Sequence, residues 1–125
     1  MSTHERIFDG RMFERGTVIL VPFPFTELSS QKVRPALILS RGATVSGDII
    51  VAFISSVLTR PNHRTHVLVR MGTDAFERTG LKVSSVIRCD KLATLDRRIV
   101  LGELGALPPS FLRRVNVAIR SALGL

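Results

Sequence analysis

Arg34 stands where a polar loop enters an apolar strand. Val18, Ile19, Leu20 and Val21 form an apolar run that Pro22 and Pro24 end, because proline donates no ladder hydrogen bond. Residues 26–32 are polar apart from Leu28, and Val33-Arg34-Pro35 then leads into apolar Ala36–Leu39. A permanently charged, forked guanidinium beside a backbone-fixing proline is suited to binding an anion, phosphate above all. On position alone, the other reading of Arg34 is an edge-strand solubility charge. A second basic loop carries Arg60, His63 and Arg64. Apart from His4 and scattered carboxylates, the candidate metal ligands are His63, His66, Cys89 and Asp90, with no second ligand pair at zinc spacing. No metal and no cofactor is expected. The chain has no phosphate-binding glycine loop, no G-x-G-x-x-G and no G-x-S-x-G elbow. Cys89 has no histidine near it in sequence and reads as a buried thiol rather than a nucleophile.

The charge points the same way as the arginines. Net charge is +8, from 18 Lys and Arg against 10 Asp and Glu, over 125 residues. Such a balance suits a polyanionic partner, whether nucleic acid, an anionic membrane or an acidic protein, or else marks a merely soluble basic protein. Lys32, Lys82 and Lys91 are the only lysines, so the excess is nearly all arginine. With 45% hydrophobic and 22% charged residues the chain has material for a core and is too apolar to be disordered. No apolar stretch is long enough to span a bilayer, the first residues carry charges of both signs, and Cys89 is the single cysteine. A cytoplasmic protein without a signal peptide is expected. Tyr and Trp are absent, which argues against a base-stacking platform.

The elements that must position these residues are short. The pattern predicts strands over 16–23, 35–40, 48–58, 65–70 and 84–94, with a short sixth over 99–103. Residues 71–82 read as a loop with a short turn. Pro108-Pro109-Ser110 opens a helix in which Phe111, Leu112, Val115, Ala118, Ile119 and Ala122 recur at three- and four-residue spacing. Gly124 ends it. The expected fold is mostly β, a small antiparallel β-barrel with a C-terminal helix packed on it, spanning 16–125 as one domain. Residues 1–15 show no clear period and read as an N-terminal extension without an assigned function.

GTVILVPFPFT (16–26) followed by KVRPALILS (32–40) resembles the PemK/MazF family of type II toxin–antitoxin toxins. The resemblance continues through GDIIVAFISS (47–56), TGL (79–81), SVIR (85–88), DKLATLD (90–96) and LGL (123–125). It implies an SH3-like barrel shared with the CcdB toxins, a symmetric homodimer, and a cognate antitoxin with an acidic tail as partner. It also implies a metal-independent, sequence-selective endoribonuclease that cleaves single-stranded RNA by attack of the 2′-hydroxyl. Such an enzyme needs charge stabilisation on the phosphoryl oxygens, in-line positioning and proton transfer.

Arg34 matches the arginine of the family's catalytic Arg-Pro pair, and Ser55 stands where the family has a catalytic threonine. On this resemblance Arg34 stabilises the phosphorane and donates to the leaving oxygen, while Ser55 orients the scissile phosphate. Thr26, Ser29, Ser30 and Lys32 of the first loop, with Ser56, line the RNA path, and Arg60, His63 and Arg64 contact flanking phosphates. His63 is the rival proton carrier. Arg88 and Asp90 read as a structural ion pair, a candidate for the dimer interface. Two other readings stay open: a CcdB-like gyrase poison that cleaves nothing, and a non-catalytic nucleic-acid-binding barrel.

Overall fold

The computed structural model describes residues 13–23, 32–41, 47–58, 62 and 64–125. Within them six strands and two helices follow in the order β1 (Thr17–Pro22), β2 (Val33–Ile38), β3 (Asp48–Ser55), β4 (His66–Val69), α1 (Asp74–Thr79), β5 (Ser85–Asp96), β6 (Gly102–Ala106) and α2 (Pro109–Leu123). The strands form one curled antiparallel sheet, ordered β4-β5-β3-β2-β1-β6. The expected barrel takes the form of a half-barrel, with β4 and β6 as its two edges.

The central strands read as continuous apolar runs because both faces of the sheet are covered. Alternate residues feed two cores. Val18, Leu37, Leu39, Ala52 and Ile54 pack on the face that α2 covers with Val115 and Ala118. Ile19, Val21, Ala36, Ile38, Val51 and Phe53 pack on the other, with Phe13 and Val100. Helix α2 starts at Pro109, in the first turn, where no amide partner is lost, and stops at Gly124 in the left-handed region (φ 73°). Arg15 fastens it to the sheet: Nη1 donates to the Leu39 carbonyl (2.7 Å) and Nη2 to Asn116 Oδ1.

Several expectations about elements are corrected: the second strand is Val33–Ile38 and not 35–40, and the third ends at Ser55 and not at Leu58. The segment 71–82 holds a helix, α1, capped by Thr73, whose Oγ1 accepts the Phe76 N–H (3.2 Å), and it buries Ala75, Phe76 and Thr79. Its end packs so closely on β6 that a Cβ on Gly105 would lie 2.2 Å from the Arg78 carbonyl oxygen, and one on Gly80 2.2 Å from that of Leu104. The sixth strand is Gly102–Ala106, paired with β1, and not 99–103. Residues Arg97–Ile99 form a 3₁₀ turn instead, capped by the Asp96 carboxylate accepting from the Arg98 N–H. The fifth strand runs to Asp96 and not to Thr94, and a bulge breaks it.

Two irregularities in the sheet build the site. The β2–β3 ladder pairs Ile38 with Val51, Leu37 with Ala52 and Ala36 with Phe53, and ends there. Pro35 pairs only with Leu20 of β1, and its ring leaves no N–H to continue toward β3. Beyond that point Ile54 and Ser55 pair only with Ile87 and Val86 of β5. The two strands therefore part. The second irregularity is in β5: Ala52 faces Leu92 but Phe53 faces Arg88, so Cys89, Asp90 and Lys91 bulge from the ladder. Bulges of this kind re-aim side chains.

Candidate functional site

The parting of β2 and β3 opens a cleft. One part, about 570 Å³, lies between Val33-Arg34-Pro35 on one side and Ile54 to Val57 on the other, with Gly80 to Val83 and Leu104 as the far wall. A smaller part, about 80 Å³, is lined by Phe23, Arg34, Phe53, Ile54, Ser55, Arg88 and Lys91. Arg34 and Ser55 line both. Helix α1 matters here because its C-terminal turn, held on β6 at Gly80 and Gly105, leads directly into the far wall.

Arg34 is half-buried, its Nη1 donating to its own Val33 carbonyl (3.1 Å). Its guanidinium lies 5.7 Å from the centroid of Phe23, and Lys91 Nζ lies 5.2 Å from the same centroid. Phe23 is in turn fixed edge-to-face on Phe53 (5.1 Å). Two cations thus share one aromatic ring, each contact worth about 0.5–1 kcal/mol where solvent reaches it. Arg88 joins them in the smaller part of the cleft, and none of its lining residues is acidic. Three cationic side chains, of which Arg88 is paired with Asp90, line a cavity whose own lining holds no carboxylate, an arrangement that suits an anion.

Ser55 is half-buried at the end of β3, and its Oγ accepts the Val57 N–H (3.1 Å). The local backbone bond expected of a serine at a strand end is therefore present. It uses a lone pair and leaves the hydroxyl proton to donate into the cleft. Ser55 is in this way oriented by its own turn.

Arg88 is held from behind. Its Nε and Nη2 donate to the two oxygens of Asp90 (2.8 and 3.0 Å), a bidentate pair. The hydrogen bond from Arg88 holds the Asp90 carboxyl below its ordinary range, and Asp90 raises Arg88 further above its own. His66 Nδ1 accepts the Asn62 N–H (3.1 Å), and its Nε2 lies 3.3 Å from Asp90 Oδ1 outside hydrogen-bonding geometry. The ion pair read from the sequence is present, and one of its members also lines the cleft. Arg88 and Lys91, three apart, would face opposite ways in a regular strand; the bulge brings both to one cavity. Nothing in the sequence alternation signals that bulge.

The remaining expected residues are placed differently. Ser56 is exposed and lines the larger part of the cleft. Lys32 is exposed; its carbonyl accepts the Phe23 N–H (2.7 Å), closing the base of the first loop, and it lines neither part. Arg64 lines a separate groove beside α2. Thr26, Ser29, Ser30, Arg60 and His63 lie outside the described residues. Among the described residues no three His, Cys, Asp or Glu side chains group as metal ligands. Cys89 is buried, and burial pushes its thiol up to about 12, so it is a structural thiol. No helix among the described residues is long and apolar enough to cross a membrane.

No curated protein sequence matches the chain. Among solved structures, the Mycobacterium tuberculosis toxin MazF-mt6 is similar at 26% identity and a TM-score of 0.66, covering 87% of this chain and 97% of its own. A mycobacterial endoribonuclease in complex with its cognate antitoxin has a TM-score of 0.70 at 22% identity, over 90% of this chain and 96% of its own. MazF from Deinococcus radiodurans has a TM-score of 0.69 at 22% identity, over 92% of this chain and 99% of its own. These last two show the shared fold. The family model for PemK-like, MazF-like toxins of type II toxin–antitoxin systems matches residues 14–123, and the chain belongs to that family.

Proposed function

We propose that this toxin is a metal-independent, sequence-selective endoribonuclease acting on single-stranded RNA. The observation that carries the reading is Arg34 and Ser55 facing one cleft together with Arg88 and Lys91. The 2′-oxygen of the RNA bonds to phosphorus, the bond to the 5′-oxygen breaks, and a 2′,3′-cyclic phosphate and a free 5′-hydroxyl result. The proton lost by the 2′-hydroxyl passes to solvent or a base, and the 5′-oxygen gains one. Arg34 supplies forked hydrogen bonds to the phosphorane oxygens and a hydrogen bond to the departing 5′-oxygen, which then takes its proton. Ser55, fixed through the Val57 amide, donates to a non-bridging oxygen and sets the in-line angle. Arg88 and Lys91 add charge on the same phosphate or its neighbour.

Ser56 at the cleft and Lys32, Thr26, Ser29, Ser30, Arg60, His63 and Arg64 are further candidate contacts to the RNA strand. The partners are RNA, a second copy of the chain in a homodimer, and a cognate antitoxin with an acidic C-terminal tail; the +8 charge suits both the RNA and the antitoxin. The toxin works in the cytoplasm. A gyrase poison would have no use for a hydroxyl poised opposite an arginine in a cationic cleft. The test is incubation of purified protein with mixed-sequence RNA in EDTA, with the product ends identified. Fragments ending in 2′,3′-cyclic phosphate are expected; intact RNA, or cleavage abolished by EDTA, would overturn the reading.

A further inference from the structure

The two parts of the cleft differ in chemistry. The smaller gathers the cations Arg34, Arg88 and Lys91. The larger, about 570 Å³, has Leu20, Ile54, Leu81 and Leu104 in its lining, and Val33, Val57 and Val83 stand 44%, 68% and 48% exposed around it. Three branched apolar side chains left in solvent about one cavity form a patch that a ligand with apolar faces would cover. Arg34 and Ser55 line both parts and so stand where the two meet. A nucleotide has the same division, an anionic phosphate joined through a sugar to a flat ring with apolar faces and polar edges.

The polar side chains of the larger part sort the rings that could enter. Among the described residues no carboxylate and no side-chain amide lines it. Ser85 Oγ donates to the Val83 carbonyl (2.8 Å), and Ser55 Oγ accepts the Val57 N–H (3.1 Å) and keeps its own proton to donate. Arg34 only donates, and Lys82, exposed on the far wall, carries three donors and no acceptor. Of these side chains Ser56 alone remains able to donate or accept at will. Uracil and guanine present a carbonyl where cytosine and adenine present an amino group. A wall rich in donors satisfies the carbonyl and leaves the amino group unpaired. We infer that the larger part of the cleft takes the base adjoining the phosphate held by Arg34 and Ser55, that it selects a keto base, uracil or guanine, and that Lys82 reads its carbonyl. This base selectivity rests on the ribonuclease reading above and names part of the sequence that the enzyme selects.

The test measures binding to the intact chain by fluorescence anisotropy, so it is independent of cleavage. The probes are labelled 2′-O-methyl oligouridylate and oligocytidylate of equal length, which share one ring shape and exchange a carbonyl for an amino group, and an abasic strand of the same length. The wild-type protein is expected to bind oligouridylate about tenfold more tightly than oligocytidylate, the scale of one charge-assisted hydrogen bond, and the abasic strand least tightly. Lys82→Ala, at an exposed position, should bring the affinities for the two bases within about twofold of each other. Lys82→Glu, which sets an acceptor where the donor was, should reverse their order. Arg34→Ala should weaken both strands and keep their ratio. Equal wild-type affinities for the two bases, or a ratio that survives both Lys82 variants, would overturn the inference and leave the ribonuclease reading standing. An abasic strand bound as tightly as oligouridylate would overturn it too, since no base would then occupy the larger part of the cleft. Failure of the wild-type protein to bind any of the strands would contradict both.

Discussion

Arg34 and Ser55 occupy opposite positions on two strands that have just separated. The register that pairs Ala36 with Phe53 would pair Arg34 with Ser55 if the ladder went one step further past Pro35. Cross-strand partners are the closest side-chain pairs a sheet can offer. Parting the strands at that point keeps the two residues facing and puts a cavity between them. A residue with no N–H at position 35 and an ST-type turn after Ser55 are enough to end the ladder.

The hydroxyl at position 55 is expected to matter more than the identity of its side chain. Ser55→Ala should lower the rate of RNA cleavage by about 10²-fold, the scale for one lost transition-state donor. Ser55→Thr keeps the donor, and its added methyl limits the rotamers, so activity within a few-fold of wild type is expected. Initial rates on one RNA substrate check both. Equal loss in Ala and Thr would mean that space, and not the hydroxyl, is what the position supplies.

Gly105→Ala should loosen α1. Its Cβ would sit 2.2 Å from the Arg78 carbonyl, a backbone atom that cannot step aside. Overpacking of this kind costs about 1–3 kcal/mol. Because the segment after α1 walls the cleft, KM for RNA should rise along with the loss of thermal stability. An unchanged melting temperature would show that α1 and β6 do not depend on this approach.

Asp90 supports Arg88 and gives the fold an acid-sensitive element. Its folded carboxyl is held below the ordinary 3.8, first by the hydrogen bond from Arg88. A depressed folded value means the stabilisation is complete above the unfolded value and is lost as pH falls through the folded one. The stability gap between wild type and Asp90→Asn, measured by denaturant unfolding, should be constant from pH 7 down to about 5 and close at lower pH. A gap independent of pH would remove the ion pair from the account. Asp90→Asn should also slow cleavage, since Arg88 would lose its bidentate anchor.

Cys89 is expected to be unreactive in the native protein. Its thiol is fully buried and pushed up to about 12, first by burial and then by the Asp90 charge. A colourless disulfide reagent at pH 8 should stay unreacted until denaturant is added. Rapid native labelling would mean that the bulge at Cys89 opens on the labelling timescale.

The sequence made some of this fold readable and hid the rest for physical reasons. β1, β2 and β3 were legible because a strand buried on both faces is a continuous apolar run, and α2 because its apolar positions repeat over four turns. α1 was not, since six residues between Gly72 and Gly80 carry too short a period. β6 was displaced because Ile99 and Leu101 look like strand core, whereas they are 36% and 60% exposed around the 3₁₀ turn. Arg34 and Ser55 are legible through the family pattern, and both line the cleft. In the sequence Arg88 is legible only as half of an ion pair and Lys91 carries no signal of a place in the site, because a bulge, which leaves no mark on composition or alternation, brings both to the cleft.

The most direct measurement is a double-mutant cycle of RNA cleavage in EDTA, with wild type, Arg34→Ala, Ser55→Ala and the double variant. Residues acting on one phosphate from the two sides of one cleft behave as a unit, so the double variant should be scarcely slower than Arg34→Ala alone. Losses that multiply would place the two residues in separate functions, and a wild-type protein that leaves the RNA intact would contradict the ribonuclease reading outright.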